Sequence, residues 1–136
     1  MDLSPEQKAP KQDNTEYITD LRDRVSVIET NLVNMMKNIQ TYRSRREQVE
    51  QDKIRAQEKI ESLRQDSYIG SQDMAERISL EENKIADAAN KLQEIDEQIQ
   101  NTSKMMENQE RMKKRIEEEL AKAESPWPDF IIPVPQ

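Results

Sequence analysis

The sequence contains no cysteine and no histidine, and a single glycine stands among its 136 residues. Without cysteine and histidine the chain has no thiol nucleophile, no imidazole base and none of the usual zinc ligands. Phosphate-binding loops need two or more glycines at fixed spacing, so they are excluded as well. We therefore expect a non-enzymatic protein without cofactor or metal.

Apolar residues are also scarce. They make up 33% of the chain, and aromatic residues 4%, whereas an ordinary globular domain is about 45–50% apolar. Long apolar runs are missing, so we expect no transmembrane segment. The polar N-terminus also lacks the basic and apolar regions of a signal peptide. These absences favour a cytoplasmic location, either in a cell or in a virus-infected host.

Charged residues, by contrast, are abundant. They account for 36% of the chain, and 28 acidic against 21 basic residues leave a net charge of −7. The two signs are interspersed, which is typical of the solvent-facing surface of long helices. The acidic excess disfavours nucleic acids and anionic membranes as partners.

Proline and glycine divide the chain. All prolines lie in the first ten or the last eleven residues, and Gly70 stands near the middle of the proline-free stretch. The polar residues around Gly70 are typical of a turn. We therefore predict five segments: a flexible polar leader (1–14), a first coiled-coil helix (15–66), a turn (67–73), a second coiled-coil helix (74–124) and an extended tail rich in proline and aromatic residues (125–136).

Capping signals precede both predicted helices. Asp13 and Asp73 each have a glutamate three residues later, which is the spacing of a capping box. Pro5 follows a serine and suits the first position of a helical turn, so the same pattern could cap a short turn in the leader.

Apolar residues recur at alternating intervals of three and four along both predicted helices. This 3.5-residue period, kept over about seven heptads, is typical of a left-handed coiled coil. In the first helix the series comprises Ile18, Leu21, Val25, Ile28, Leu32, Met35, Ile39, Tyr42, Arg46, Val49, Lys53, Ala56, Ile60 and Leu63. In the second helix it comprises Met74, Ile78, Glu81, Ile85, Ala88, Leu92, Ile95, Ile99, Thr102, Met106, Gln109, Lys113, Ile116, Leu120 and Ala123. We call these two series the seam.

The two series match one another from end to end. Pairing Leu63 with Ile78 in an antiparallel arrangement also pairs Leu21 with Leu120, and the centre of symmetry falls next to Gly70. Each polar residue of one series then faces an apolar residue of the other, and such single intrusions specify register. We predict an all-α fold, namely a long two-helix antiparallel coiled-coil hairpin with an extended C-terminal tail.

A parallel coiled-coil dimer remains the alternative. A straight helix through Gly70 would cost only about 1 kcal/mol. Flanking charges do not decide between the two arrangements, because the hairpin places Arg43 near Asp96 but also Lys59 near Lys84. Exposed pairs of this kind contribute little in any case. The hairpin is preferred for its turn composition and its matched arm lengths.

The tail concentrates the bulky apolar residues that the polar leader lacks. Proline holds such a segment extended, and extended apolar peptides dock in grooves or on sheet edges. Docking on a partner, folding back on the hairpin and an unstructured tail all remain open. The predicted partner-binding residues are Trp127, Phe130, Ile131, Ile132 and Val134.

Apolar residues outside the seam exceed what a purely solvated helix pair needs. They indicate either ordinary scatter or a second surface that packs on another chain. These residues are Tyr17, Val27, Val33, Met36, Ile54, Leu80, Met105 and Met112.

The densest basic cluster, Arg43, Arg45 and Arg46, is the basis of a nucleic-acid alternative. On an acidic coiled coil such a cluster is usually a solvated face, and only Tyr42 offers an aromatic platform beside it. Nucleic acid is therefore disfavoured as a partner.

Together these patterns predict a structural or adaptor subunit of a larger protein assembly, cellular or viral. Its partners would be other protein subunits, bound through the tail and the helices, and the chain could also form a homo-oligomer. The first alternative is a chaperone or export-stalk type of hairpin. Prefoldin-type subunits share this plan, but they need a β-hairpin between the arms, for which residues 67–73 are too short. A nucleic-acid-organising coiled coil is the lesser alternative.

Overall fold

The computed structural model describes the backbone of residues 5–125 and the side chains of residues 14–125. It contains two helices, α1 (Pro5–Arg64) and α2 (Ser71–Glu124). The two helices pack against each other as a helical hairpin, and the described residues contain no strand. No helix among the described residues combines the length and the apolar character needed to cross a bilayer.

The helix ends differ from the predicted boundaries. Helix α1 begins at Pro5 rather than at residue 15, so most of the predicted leader is helical. Proline at the first helical position explains this start, because its fixed φ suits a helix and its missing N–H is not needed there. Helix α1 ends at Arg64 instead of residue 66, and α2 begins at Ser71 instead of residue 74.

The connection between the helices is held by short-range hydrogen bonds. The Tyr68 N–H donates to Asp66 Oδ1 at 2.8 Å, which forms an Asx turn. The Gly70 carbonyl accepts the Met74 N–H at 2.9 Å and thereby starts α2. Gly70 does not have a positive φ, and a Cβ added to it would meet nothing within 4 Å. Gly70 therefore serves as the N-cap of α2, not as a left-handed turn residue.

The chain divides into two compact units. Unit 1 comprises Met1–Met35 and Met105–Gln136, and unit 2 comprises Met36–Lys104. The core of unit 1 is a cluster of aliphatic side chains from both helices: Leu21, Val25, Ile28 and Ile116, with Leu32 and Leu120 packed against them. The core of unit 2 contains smaller and aromatic side chains as well: Val49, Ala88, Leu92 and Ile95, with Tyr42 and Ile99 packed against them.

Burial follows the heptad period. Every residue of the seam is buried or half-buried, and most residues between the seam positions are exposed. Among the seam residues that define the predicted helix contact, those buried are Leu21, Ile28, Ile39, Leu63, Leu92, Ile95 and Ile116. Those half-buried are Leu32, Ile78, Ile99 and Leu120. A single line of contact between two helices leaves the remaining faces to solvent.

Candidate protein-binding surface

Unit 1 carries an apolar groove along one side of its seam. Its floor is formed by Ile28 and Ile116, and its walls by Val27 and Met112. The groove encloses about 560 Å³. We call this feature the unit 1 groove. Charged residues of both signs stand along it, namely Asp23, Arg24, Arg115 and Glu119.

The position of each wall residue on its helix explains why the groove stays open. Val27 precedes the buried Ile28 but points away from the seam, and Val27 is 59% exposed. Met112 lies one helical turn before Ile116 and is 48% exposed. Two helices in contact can cover only one line of side chains, so apolar residues just beside that line remain accessible.

Gln109 adds an unusual polar group to the unit 1 groove. It occupies a seam position and lines the groove beside Met112. Among the described side chains, its Oε1 atom is buried without a hydrogen-bond partner. A buried acceptor without a partner costs about 1–3 kcal/mol relative to a satisfied one. Unit 1 would therefore gain from any group that brings a donor to this place.

Polar contacts join the two helices at the other end of unit 1. The Tyr17 hydroxyl donates to Glu119 Oε2 at 2.9 Å, and Asn14 Nδ2 donates to the Ala123 carbonyl at 3.0 Å. The hydrogen bond to the Glu119 carboxylate raises the pKa of Tyr17 above its usual 10.0, because it stabilises the protonated phenol.

An additional cross-helix ion pair lies in the same region, between Arg22 and Glu124. The Arg22 side chain is largely exposed and the Glu124 side chain partly exposed, so solvent screens the pair and it contributes little to stability.

Unit 2 contains a buried carboxylate. Glu81 is only 4% exposed. Its Oε1 atom lies 3.0 Å from Lys84 Nζ and 3.4 Å from Lys59 Nζ. The hydrogen bond from Lys84 lowers the pKa of Glu81 below its usual 4.5, Lys59 adds to the effect, and burial opposes it. The contact between Lys59 and Lys84 expected from the sequence is therefore not a bare repulsion, since both ammonium groups share one carboxylate.

Arg46 is, with Lys53 and Glu81, one of the three charged residues of the unit 2 seam. Its Nε donates to Asp96 at 2.7 Å, and its Nη1 donates to Glu50 at 3.2 Å. The hydrogen bond to Asp96 raises the pKa of Arg46 above its usual value, because it stabilises the charged guanidinium. Heptad pairing places Arg43 near Asp96, but the seam position brings Arg46 closer to the opposite helix. One of the three arginines of the nucleic-acid alternative is thus already paired with carboxylates.

A second hollow lies beside the Glu81 cluster. Ala56 and Ala88 are small, and the space they leave measures about 390 Å³. Its lining is mixed in charge, with lysine and arginine alternating with aspartate. Among the described residues no group of three or more potential metal ligands is found. We see no chemistry in this hollow beyond solvated ion pairs.

The sequence pattern identifies some residues of the unit 1 groove but does not show that they line one groove. Val27 and Met112 are both apolar residues outside the seam, yet their spacing alone does not show that they face the same side. The signal is their heptad position, because both lie on the side of the helix next to the second core position of each heptad. The predicted partner-binding residues Trp127, Phe130, Ile131, Ile132 and Val134 lie outside the described residues.

Comparison with known proteins adds no assignment. No protein-family model, no curated protein and no solved structure matches this chain. The function must therefore be inferred from the surfaces described above.

Proposed function

We propose that this protein is a non-enzymatic structural or adaptor subunit of a larger protein assembly, built as an antiparallel coiled-coil hairpin. The contacts within each unit support the antiparallel arrangement. In unit 2, Arg46 contacts Asp96 whereas the later Lys59 contacts the earlier Glu81. A partner number that falls as the residue number rises is expected of antiparallel helices.

Unit 1 has the same order. Asn14 contacts Ala123, and the later Tyr17 contacts the earlier Glu119. Cysteines substituted for Tyr17 and Glu119 should therefore form a disulfide within one chain. The control pairs Tyr17→Cys with Glu118→Cys, whose exposed side chain is not the one that Tyr17 contacts. Disulfides that form only between chains would contradict the hairpin and indicate the parallel dimer.

The unit 1 groove is the observation that carries the adaptor function. The seam of unit 1 is already filled by aliphatic side chains, yet Val27 and Met112 remain accessible beside it. Contiguous exposed apolar surface with a polar rim is typical of protein interaction sites. We therefore interpret unit 1 as the part of the hairpin that is completed by another peptide segment.

The tail is the second proposed contact. Exposure of its large aromatic and aliphatic side chains to water is unfavourable, and proline keeps such a peptide extended for docking. In the assembly we propose that Trp127, Phe130 and Ile131 insert into a partner subunit, and that the helices provide a spacer or bundle with other helices.

Quantitative pull-down tests this role. The full chain, a chain ending at residue 124 and a Tyr68→Ser variant are compared under the same conditions. Tyr68 is 97% exposed in the loop, so its substitution controls for the loss of an exposed aromatic residue. We expect the shortened chain to lose its partner subunits and the Tyr68→Ser variant to retain them. Unchanged recovery with the shortened chain would contradict the anchor role of the tail.

A chaperone or export-stalk hairpin is the second candidate, because unit 2 exposes Tyr68 in its loop and Leu80 on α2. A protein of this kind would use exposed apolar side chains in and near the loop for weak, transient binding. This function predicts that the full chain suppresses aggregation of an unfolded client and that Tyr68→Ser with Leu80→Ser abolishes the effect. The assembly function predicts no suppression by either protein.

A further inference from the structure

We propose that the C-terminal segment 126–136 folds back along α2 and seats its apolar residues in the unit 1 groove when the chain is alone. This inference goes beyond the proposed function, because it concerns the isolated chain and does not depend on a partner. The groove and the start of the segment both belong to unit 1.

The segment is long enough to cover the groove. Along α2 the distance from Ser125 back to Gln109 is about 24 Å at the usual helical rise of 1.5 Å per residue. The eleven residues that follow Ser125 span about 34 Å in the extended conformation that proline favours. The tail therefore reaches the far end of the groove even if a few residues are used to reverse direction.

The register places apolar residues against apolar residues. If the chain reverses directly after Ser125, Ile131 lies level with about residue 113 of α2, next to Met112. If two residues are used for the reversal, Ile131 lies level with about residue 117 and Val134 with about residue 111. In both cases the apolar run from Phe130 onwards lies beside the groove walls.

The polar groups agree with this register. Arg24 is paired with Asp20 at 3.0 Å, and Glu119 already accepts the Tyr17 hydroxyl. Arg115, in contrast, makes no salt bridge with any residue whose side chain is described. With an immediate reversal, Asp129 lies level with about residue 117, within one helical turn of Arg115.

Gln109 provides a further match. Its Oε1 atom lacks a donor, and the extended peptide carries free N–H groups at its non-proline residues. With an immediate reversal, Ile132 lies level with about residue 111, so its N–H comes within one helical turn of Gln109. The seated tail thus adds apolar contact and a donor at the same place.

Tethering favours the tail over a second copy of the chain as the occupant. A segment attached next to its site acts at an effective concentration in the millimolar range for a short linker. Proline also reduces the conformational entropy that the segment loses on docking. A second copy would have to displace this tethered segment from the groove.

Trp127 reports on the position of the tail, because it is the only tryptophan in the sequence. In the dilute full chain we expect its emission to lie at shorter wavelength than in a free peptide of residues 125–136, with reduced acrylamide quenching. Val27→Asp and Met112→Asp should each move the emission back towards that of the peptide. Val33→Asp is the matched control, because Val33 is a 50% exposed residue of unit 1 that does not line the groove. Far-ultraviolet circular dichroism verifies that all variants remain helical.

Full-chain emission equal to that of the free peptide would overturn the proposal. An equal response to Val27→Asp and Val33→Asp would also overturn it. A blue shift that disappears on dilution would contradict the fold-back and show that the groove is filled by a second copy instead.

Engineered disulfides give a second, independent readout. The natural chain has no cysteine, so Met112→Cys with Ile131→Cys creates one defined pair, and Val33→Cys with Ile131→Cys is its control. We expect the first pair to crosslink within one chain at a rate at least several-fold above the control. Equal rates for the two pairs, or crosslinks only between chains, would contradict the fold-back.

The fold-back and the anchor role can fail separately. If the tail also anchors the protein in an assembly, the partner must compete with the groove. Val27→Asp should then increase partner recovery in the pull-down, whereas removal of the tail abolishes it. Loss of the anchor role would leave the fluorescence and disulfide results of the isolated chain unaffected.

Discussion

The two compact units of this hairpin differ in whether the polar residues of their seams have partners. In unit 2 the buried Glu81 is held by two lysines, and the half-buried Arg46 is paired with two carboxylates. In unit 1 the seam residue Gln109 has a buried oxygen without a donor, and the apolar groove beside it is open.

Unit 1 is therefore the unit in which a buried polar atom still lacks a partner, whereas both units expose apolar side chains. Unit 2 satisfies its polar groups through neighbouring side chains and combines them with small residues such as Ala56 and Ala88. Unit 1 leaves apolar surface accessible beside its seam and one buried acceptor without a donor. A binding surface is expected to contain polar groups without partners and exposed apolar side chains. Binding then gains free energy, because the partner supplies the missing hydrogen bonds and covers the apolar surface.

The largest effect is expected in the core of unit 1. Leu21 is 1% exposed, so Leu21→Ala should lower the free energy of unfolding by about 3 kcal/mol through lost apolar contact and a residual cavity. Val33→Ala, at an exposed position of the same unit, should change it by less than about 0.5 kcal/mol. Hydrogen exchange should show the largest loss of protection in unit 1. Equal loss in unit 2 would mean that the two units do not differ in local stability.

A change in the opposite direction is expected at the charged seam of unit 2. Glu81→Leu removes a buried carboxylate and extends the apolar seam, and the two lysines that it releases are largely exposed, so no buried charge is left without a partner. We expect the midpoint of thermal unfolding to rise by roughly 5 °C. Glu82→Leu, at the exposed neighbouring position, should leave the midpoint almost unchanged. A lower midpoint for Glu81→Leu would mean that the lysine pair stabilises the unit more than an apolar contact does.

Acid should act on unit 2 through the same carboxylate. The pKa of Glu81 is lowered in the folded protein, so its contribution to stability is complete above the unfolded value of about 4.3 and is lost as the pH falls through the lower folded value. Denaturant unfolding of the chain and of Glu81→Gln should therefore differ by a constant amount above about pH 5.5, and the difference should shrink in more acidic solution. Glu82→Gln is the control. A difference that does not depend on pH would contradict the assigned ion pairs.

The smallest effect is expected in the loop of unit 2. Because Gly70 is the N-cap of α2, has no positive φ and leaves room for a Cβ, Gly70→Asn should stabilise the protein by about 0.5 kcal/mol. Gly70→Ala stiffens the chain but has no capping oxygen, and alanine is a poorer N-cap than glycine, so this variant should not stabilise the protein. Chemical denaturation at constant m-value measures both. Destabilisation by both variants would show that the loop needs the freedom of glycine.

Much of the fold could be predicted from the heptad period, and the reason is local. Spacing of three and four residues determines which side of a helix is apolar, so the intervals alone place residues such as Leu21, Leu92 and Ile116 at the helix contact. The start of α1 at Pro5 was harder to predict. A polar segment has no apolar period, and of its two prolines Pro5 favours a helix start whereas Pro10 disfavours a helix through it.

The polar contacts could not be predicted in the same way. In a heptad diagram, Arg43 and Arg46 both lie within reach of the opposite helix. Only the positions of the side chains show that it is Arg46 that donates to Asp96. Lys59 and Lys84 likewise form a repulsive pair in that diagram, although Glu81 lies between them in the folded chain. Long charged side chains choose among several partners of similar distance, so small rotations of a helix decide the result.

By itself the sequence determined the helical class, the seam and the division by Gly70, because these depend on intervals along one chain. The tertiary structure decided that Val27 and Met112 share one groove, that Gln109 lacks a donor there, and that Glu81 is neutralised by two lysines. Each of these facts depends on atoms from both helices at distances of a few ångströms. A linear pattern specifies which face of a helix is buried. Only packing specifies which grooves stay open beside that face and which buried polar groups lack a partner.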